Sequence, residues 1–330
     1  MWTVDPRRSR GFTFLEMTVT LLITALGALL AERAVSTTQR ADLFLAAVHR
    51  ATERGSRLSY EVRDMVSSSR RIFGDDAAGV SYLDALDLIS APRASSARLP
   101  TGVELGLLVP DLPGEPRTGN VLLVAREAEP AMCVADPATG RRRFIDTYRF
   151  VCVYPTVSAR RLVAGQPLAW DLVLWRSRSF PSLPQILAIS DATERTRVVA
   201  DLVGHFDLDM SWDPAQAADA GFFALAADGT IAVTPVSSPL IAEDLQGSPG
   251  PRLVYAGMQL AETDAAVAGR QALFSVDDPA TWTPHGFEVK VVGPSGARKV
   301  GLRIVVEAPA GPGSLTTAVP TTVLASARDL

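Results

Sequence analysis

The chain is poor in the residues that catalysis usually relies on. Only three histidines occur in 330 residues, and His49, His205 and His285 form no H-E-x-x-H or His–acid cluster. Two cysteines, Cys133 and Cys152, are the only thiols, and no C-x-x-C pair offers a metal or redox motif. A Gly-rich phosphate loop is missing. Gly293-Pro294-Ser295-Gly296 lacks the G-x-S-x-G spacing and reads as a hairpin turn rather than a nucleophile elbow. Outside the first ten residues there is no block of like charge, and a net charge of −4 leaves no electrostatic footprint for nucleic acid. Proline is absent from Arg7 to Ala91, so nothing forces a break in a helix over that span. Disorder is excluded as well, because 47% hydrophobic and 21% charged residues are ordinary values for a folded chain.

What is present is concentrated at the N-terminus. Arg7, Arg8 and Arg10 precede Gly11, an aromatic Phe12, and the run Thr13-Phe14-Leu15-Glu16; an uncharged stretch follows from Met17 to Ala31. Phe12 to Ala31 is 20 residues. As a helix that length spans the hydrocarbon core of about 30 Å. The anomaly is Glu16, because an acidic side chain deep in a spanning segment costs roughly 2.5–3.5 kcal/mol and needs a reason to be there. An ordinary secretory signal also has a basic region and an apolar region, but Glu32-Arg33 follows this one without an A-x-A cleavage site. A plain single-pass anchor leaves Gly11 and Glu16 unexplained. In each reading the arginines stay cytoplasmic by the positive-inside rule and the rest of the chain faces the other way.

This pattern resembles the class III signal of type IV prepilins and type II secretion pseudopilins. Arg10-Gly11 followed by Phe12 matches the family's processing site, and Phe14-Leu15-Glu16 matches the residues after it. The resemblance implies cleavage by a prepilin peptidase after Gly11, N-methylation of Phe12, and retention of the apolar helix. It implies that Glu16 neutralises the Phe12 ammonium of a neighbouring subunit and so sets axial register. It also implies partners among other pilins or pseudopilins and the lipid of the inner membrane; no nucleic acid is expected, on the charge distribution above. The leader is expected at 1–11 and the pilin helix at 12–73. Over Phe44, Val48, Ala51, Gly55, Leu58, Val62 and Met65, ending at Ile72-Phe73, steps of three and four trace one helix face.

After Gly74 the pattern turns to short β-branched runs separated by Pro/Gly turns. Strands are expected at Val103–Val109, Val121–Arg126, Met132–Val134, Phe144–Tyr154, Leu168–Arg176, Val198–Val203, His205–Met210, Phe222–Leu225, Thr230–Val233, Phe287–Val292 and Val300–Glu307. Asp228-Gly229 reads as a hairpin turn, and short helices are expected in Asp213–Ala220 and Leu260–Arg270. The fold class is therefore α+β: a long pilin helix, transmembrane in its first half, packed on a predominantly antiparallel β domain at 74–308. The Pro/Gly/Ser/Thr-rich stretch 309–330 reads as a flexible tail.

Several segments are similar to larger minor pilins and J-type minor pseudopilins: Leu58, Val62, Arg63 and Asp64 at the helix end, Leu172–Arg176, Val199–Leu208, and Lys299–Val306. The large globular region and the absence of proline from the membrane segment favour a minor subunit that primes, caps or joins a filament. Glu16 argues against the K-type tip pseudopilin. The competing class is a prepilin-anchored adhesin or ligand-binding tip protein, DNA uptake included. Cys133 and Cys152 sit in adjacent strand-like runs joined by a Thr139-Gly140 turn, so a disulfide across a hairpin and two free buried thiols are both open. Asp207, Asp209 and Asp213 are hard-oxygen candidates for Ca²⁺; the alternative is a solvent-facing strand edge. Trp170, Trp175, Trp212 and Trp282 read as buried sheet aromatics. No other cofactor is expected.

Overall fold

A computed structural model describes residues 13–88, 92–157, 170–233, 244–245, 248–249, 252–258, 273–275, 286–309 and 316–327. The expected helix at Leu260–Arg270, together with Gly11, Phe12, Trp282 and His285, lies outside the described residues.

One helix dominates, α1 (Phe14–Ser67), 54 residues long. At 1.5 Å per residue it extends about 81 Å. Every residue from Thr13 to Ala46 is exposed apart from the half-buried Ser36. Within that stretch the hydroxyls of Thr18, Thr20 and Thr24 donate to the carbonyls four residues back at 2.7–2.8 Å, so these polar groups are satisfied inside the helix itself. The second half is a different surface. Ala47, Ala51, Gly55, Leu58, Val62, Met65 and Val66 are buried along one stripe. Phe44 of the expected face is instead 46% exposed, and Ala47 starts the contact.

The helix stops at Ser67, short of the expected Phe73, where the chain from Ser69 to Ile72 pairs with a strand instead and two serines cover the last carbonyls. Ser68 Oγ donates to Asp64 O and Ser69 Oγ to Val66 O. The chain then enters β1 (Ser69–Ile72) and α2 (Ala77–Asp84), the latter capped by Asp76. β2 (Leu122–Asp136) and β3 (Arg141–Val157) make one long hairpin that absorbs three of the expected runs, turning at Gly140 with φ 69°. β4 (Trp170–Pro181) follows, then α3 (Leu183–Leu187) and α4 (Ala192–Phe206). β5 (Met210–Trp212), α5 (Ala218–Gly221), β6 (Phe222–Leu225) and β7 (Ile231–Val233) form a small unit with Asp228-Gly229 in its last turn. The remainder is β8 (Asp244–Leu245), β9 (Ser248–Pro249), β10 (Arg252–Met258), β11 (Phe287–Val292), β12 (Lys299–Pro309) and β13 (Thr316–Ser326).

Two antiparallel sheets carry the fold, ordered β1-β2-β3-β4-β10 and β11-β12-β13, with β5-β6-β7 and β8-β9 as smaller ones. A first core lies between the buried stripe of α1 and both large sheets; Leu122, Val124, Val151, Val153, Leu172 and Leu174 meet Leu302, Ile304 and Val306 there. The alternate residues of the same strands, Leu123, Phe150, Cys152, Val173 and Trp175, enter a second core with Phe73, Tyr82, Trp212 and Phe222. Burial on both faces explains why these strands read as continuous apolar runs rather than alternating ones. In the second core Trp212 Nε1 donates to Tyr82 Oη at 2.8 Å, which in turn donates to Gln216 O at 3.0 Å, so both buried aromatics are satisfied.

Three expectations are corrected. Val198–Val203 and the start of His205–Met210 are helix, not strand. Asp191 accepts from Thr193 N and Glu194 N at the start of α4, and Asp207 ends it in the left-handed region at φ 56°. The stretch 309–330 is not a flexible tail throughout, because 316–326 is β13, paired with β12 from Thr316 to Ser326. Of Val103–Val109 only Val103 makes a β-bridge, to Val292. The rest is a strap across the outer side of β11, held by buried charge. Lys290 Nζ donates to Val109 O and to Asp111 Oδ1, the latter at 2.7 Å. Glu288, also on β11, holds a separate segment by accepting from the amides of Leu273, Phe274 and Ser275.

Candidate functional site

The N-terminal turn of α1 begins at Thr13, whose extended backbone places it as N-cap. Thr13 N–H and Thr13 Oγ1 both donate to Glu16 Oε2 at 2.9 Å, and Glu16 N–H donates back to Thr13 Oγ1 at 3.3 Å. This is a reciprocal capping box. Its consequence is that Glu16 does not swing freely on the helix surface. One carboxylate oxygen is held toward the helix start, beside the chain that leads from Phe12. Thr13 was not among the residues the sequence reading selected, although T-x-x-E before an apolar run is the spacing that identifies such a box.

Beyond this turn the helix surface is apolar on all sides. Phe14, Leu15, Leu21, Leu22, Ile23 and Leu26 are each 60% or more exposed. The segment is long and apolar enough to cross a membrane, with a mean hydropathy of 2.0 and no burial by its own chain. Such a surface is stable only in lipid or against other helices.

The other candidate residues are scattered. Cys133 and Cys152 are free and buried, which corrects the possible disulfide. Cys152 faces Leu123 across the hairpin and Cys133 faces Arg143. Positions 123 and 133 lie ten residues apart on β2, roughly 30 Å at strand rise, far beyond the 7 Å limit on Cα separation for a bridge. The cysteines also belong to different cores. Burial pushes the Cys133 thiol up to about 12 and raises Cys152 further, so neither is a thiolate at neutral pH.

Asp207, Asp209 and Asp213 do not converge on an ion. Asp207 ends α4, Asp209 pairs with Arg178 at 2.7 Å, and Asp213 accepts from Ala215 N. Among the described residues no group of three or more His, Cys, Asp or Glu side chains is placed to hold a metal ion. His49 and His205 are exposed on α1 and α4. Trp170, Trp175 and Trp212 are buried. A cleft of about 260 Å³ lies between Gly74–Asp76, Thr101–Glu104 and Arg298; its lining holds no histidine or cysteine.

Residues 6–31 match the family model of the prokaryotic N-terminal methylation motif. The match covers Gly11, Phe12 and Glu16, and it makes the chain type IV prepilin-like. No curated protein and no solved structure matches the chain.

Proposed function

We propose that this prepilin-like chain is a minor pilin or minor pseudopilin, which primes, caps or joins a type IV pilus or a type II secretion pseudopilus. The observation that carries the reading is the union of the methylation motif at 6–31 with a helix whose first half is exposed, unburied by the described residues of its own domain. A prepilin peptidase cleaves after Gly11, and Phe12 becomes the methylated N-terminus. Before assembly the apolar half of α1 lies in the inner membrane, with the β domain on the extracytoplasmic side. During assembly that half moves from lipid to neighbouring helices, an exchange of one apolar environment for another. Glu16, held by Thr13, meets the Phe12 ammonium of the adjacent subunit and sets the register. The role is mechanical, with no reaction catalysed by the chain. The size of the β domain favours a low-copy subunit over the main filament protein.

Deletion of the gene and counting of filaments tests the assembly role. Loss of filaments, restored by the wild-type chain and not by Glu16→Val, is the expected result. Filaments of normal number that have lost adhesion or DNA uptake would move the protein to the display class.

A further inference from the structure

The tip of the β2–β3 hairpin presents a surface that the filament helix does not use. Met132 and Phe144 face each other directly across the two strands, and Val134 faces Arg142 one step further out. Phe144 is 64% exposed, Met132 38% and Val134 38%. Ala131, Cys133 and Ile145, on alternate positions, are buried against α4. The strand therefore has a covered face and an open apolar one.

The open face is rigidly supported. Glu194 of α4 is buried and ion-pairs with both Arg141 and Arg143, the latter at 2.8 Å. Asp201 of α4 accepts the Val134 amide at 2.8 Å. Asp136 accepts from Ala138 N and Thr139 Oγ1 and so closes the turn. The acids of the tip and of the helix beneath it are thus committed. Of three consecutive arginines, Arg142 alone has only a soft neighbour, with its Nη1 donating to Met132 Sδ at 3.5 Å. It stands on the open side with Phe144 and Met132.

We propose that this tip is a docking surface for another subunit, and that the partner presents an apolar side chain next to a carboxylate. Phe144, Met132 and Val134 form the apolar seat, and Arg142 supplies the charge that selects the acid. An aromatic and an arginine at the centre of a preorganised patch are the composition of a binding hot spot. A two-fold contact between copies of this chain is disfavoured, since the same patch on a second copy brings Arg142 but no uncommitted acid to pair with it. The proposal rests on the filament reading only in taking the partner to be a co-assembling protein.

The test places a photoreactive benzoylphenylalanine at position 144 of the full-length chain in its native membrane, with a second chain carrying it at Tyr60. Tyr60 is 74% exposed on α1 and reports on helix-mediated assembly independently of the tip. The expected result is an adduct from position 144 to a segment bearing Asp or Glu, reduced roughly tenfold by Arg142→Glu and restored when that partner acid is changed to Arg. Cross-linking from Tyr60 stays unchanged in all of these. An adduct to a second copy or to lipid, no adduct from position 144, or one indifferent to Arg142→Glu would overturn the proposal. Loss of the Tyr60 adduct in the otherwise wild-type chain would instead count against the filament reading.

Discussion

Asp111→Asn tests how the strap is held to the outer side of β11. The side chains of Lys290 and Asp111 are 6% and 1% exposed and sit 2.7 Å apart. Asp111 also accepts from the amides of Arg117 and Thr118 at 3.0 and 2.8 Å. Asparagine fills the same volume but turns one of the two accepting oxygens into an amide donor, so the substitution removes the charge together with one acceptor and leaves the Lys290 ammonium buried without its counterion. Breaking a buried pair from one side costs about 3–5 kcal/mol. For a domain of this size that is a fall in Tm of roughly 6–20 °C. The assay is thermal unfolding of the detergent-solubilised chain, followed by the fluorescence of the buried Trp170, Trp175 and Trp212. The double change Asp111→Leu with Lys290→Met removes both charges and is expected to recover the part of the loss that comes from the unpaired ammonium, but not the part that comes from the Arg117 and Thr118 amides left without an acceptor. The pH dependence has a definite sign. Burial alone would raise the Asp111 carboxyl, but hydrogen bonds from Lys290, Thr118 and Arg117 outweigh it and hold the carboxyl below its usual range. Its stabilising contribution is therefore complete above the unfolded value of about 3.9 and is lost as pH falls through the lower folded value. The gap between wild type and Asp111→Asn should stay constant from pH 5 to 7 and narrow below about pH 4. A change of under about 1 kcal/mol at neutral pH would refute the claim that this pair fastens the strap.

Three further outcomes follow from the same structure. Thr13→Val keeps bulk but removes the hydroxyl that binds Glu16, so Gly11 cleavage should persist while incorporation into filaments falls; Glu16→Val should fall further, and equal, normal incorporation of both would sink the registration role. Cys133 and Cys152 should remain unlabelled by alkylating reagents in the native protein and give two labels per chain in denaturant without reductant; native mobility that changes on reduction would indicate the bridge that the geometry forbids. Val323→Asp places a charge in the core beneath α1 and should cost more than about 3 kcal/mol. Thr322→Lys, next to it on the exposed side of β13, should change stability by less than about 0.5 kcal/mol. If both are neutral, β13 is not part of the fold.

The helix was readable because one periodic pattern ran on without proline, and because Ala51, Gly55, Leu58, Val62 and Met65 keep helical spacing. Gly55 shows what that spacing serves. A Cβ there would lie 2.7 Å from Thr321 Oγ1, so α1 approaches β13 closely at that point. The strand opposite was misread because its composition resembles a loop. Pro320 is tolerated since its partner Val305 sends its amide to Gly286 O on the far side, which leaves the missing N–H of Pro320 at the open edge of the sheet. Helix α4 was misread because Val198-Val199 and Leu202-Val203 are β-formers by propensity. Asp191 with Glu194 three residues later was the helix-start signal, and the buried positions 198, 199 and 202 fit a helix stripe. The strap at 103–109 carries strand-like residues, yet only Val103 joins the ladder and Val109 O is taken by the Lys290 ammonium, and no local pattern announces that. At the N-terminus Glu16 was legible as an anomaly of charge, whereas Thr13 carried only the T-x-x-E spacing, and the hydrogen bonds to Glu16 show what that spacing does.

The most direct measurement is the N-terminal residue and mass of the mature protein from its native membrane fraction. The account predicts N-methylated Phe12, eleven residues shorter than the translated chain. A terminus near residue 32 would mean a conventional secretory signal, and an intact Met1 would leave a plain anchor. Either would contradict the claim that α1 is a filament helix.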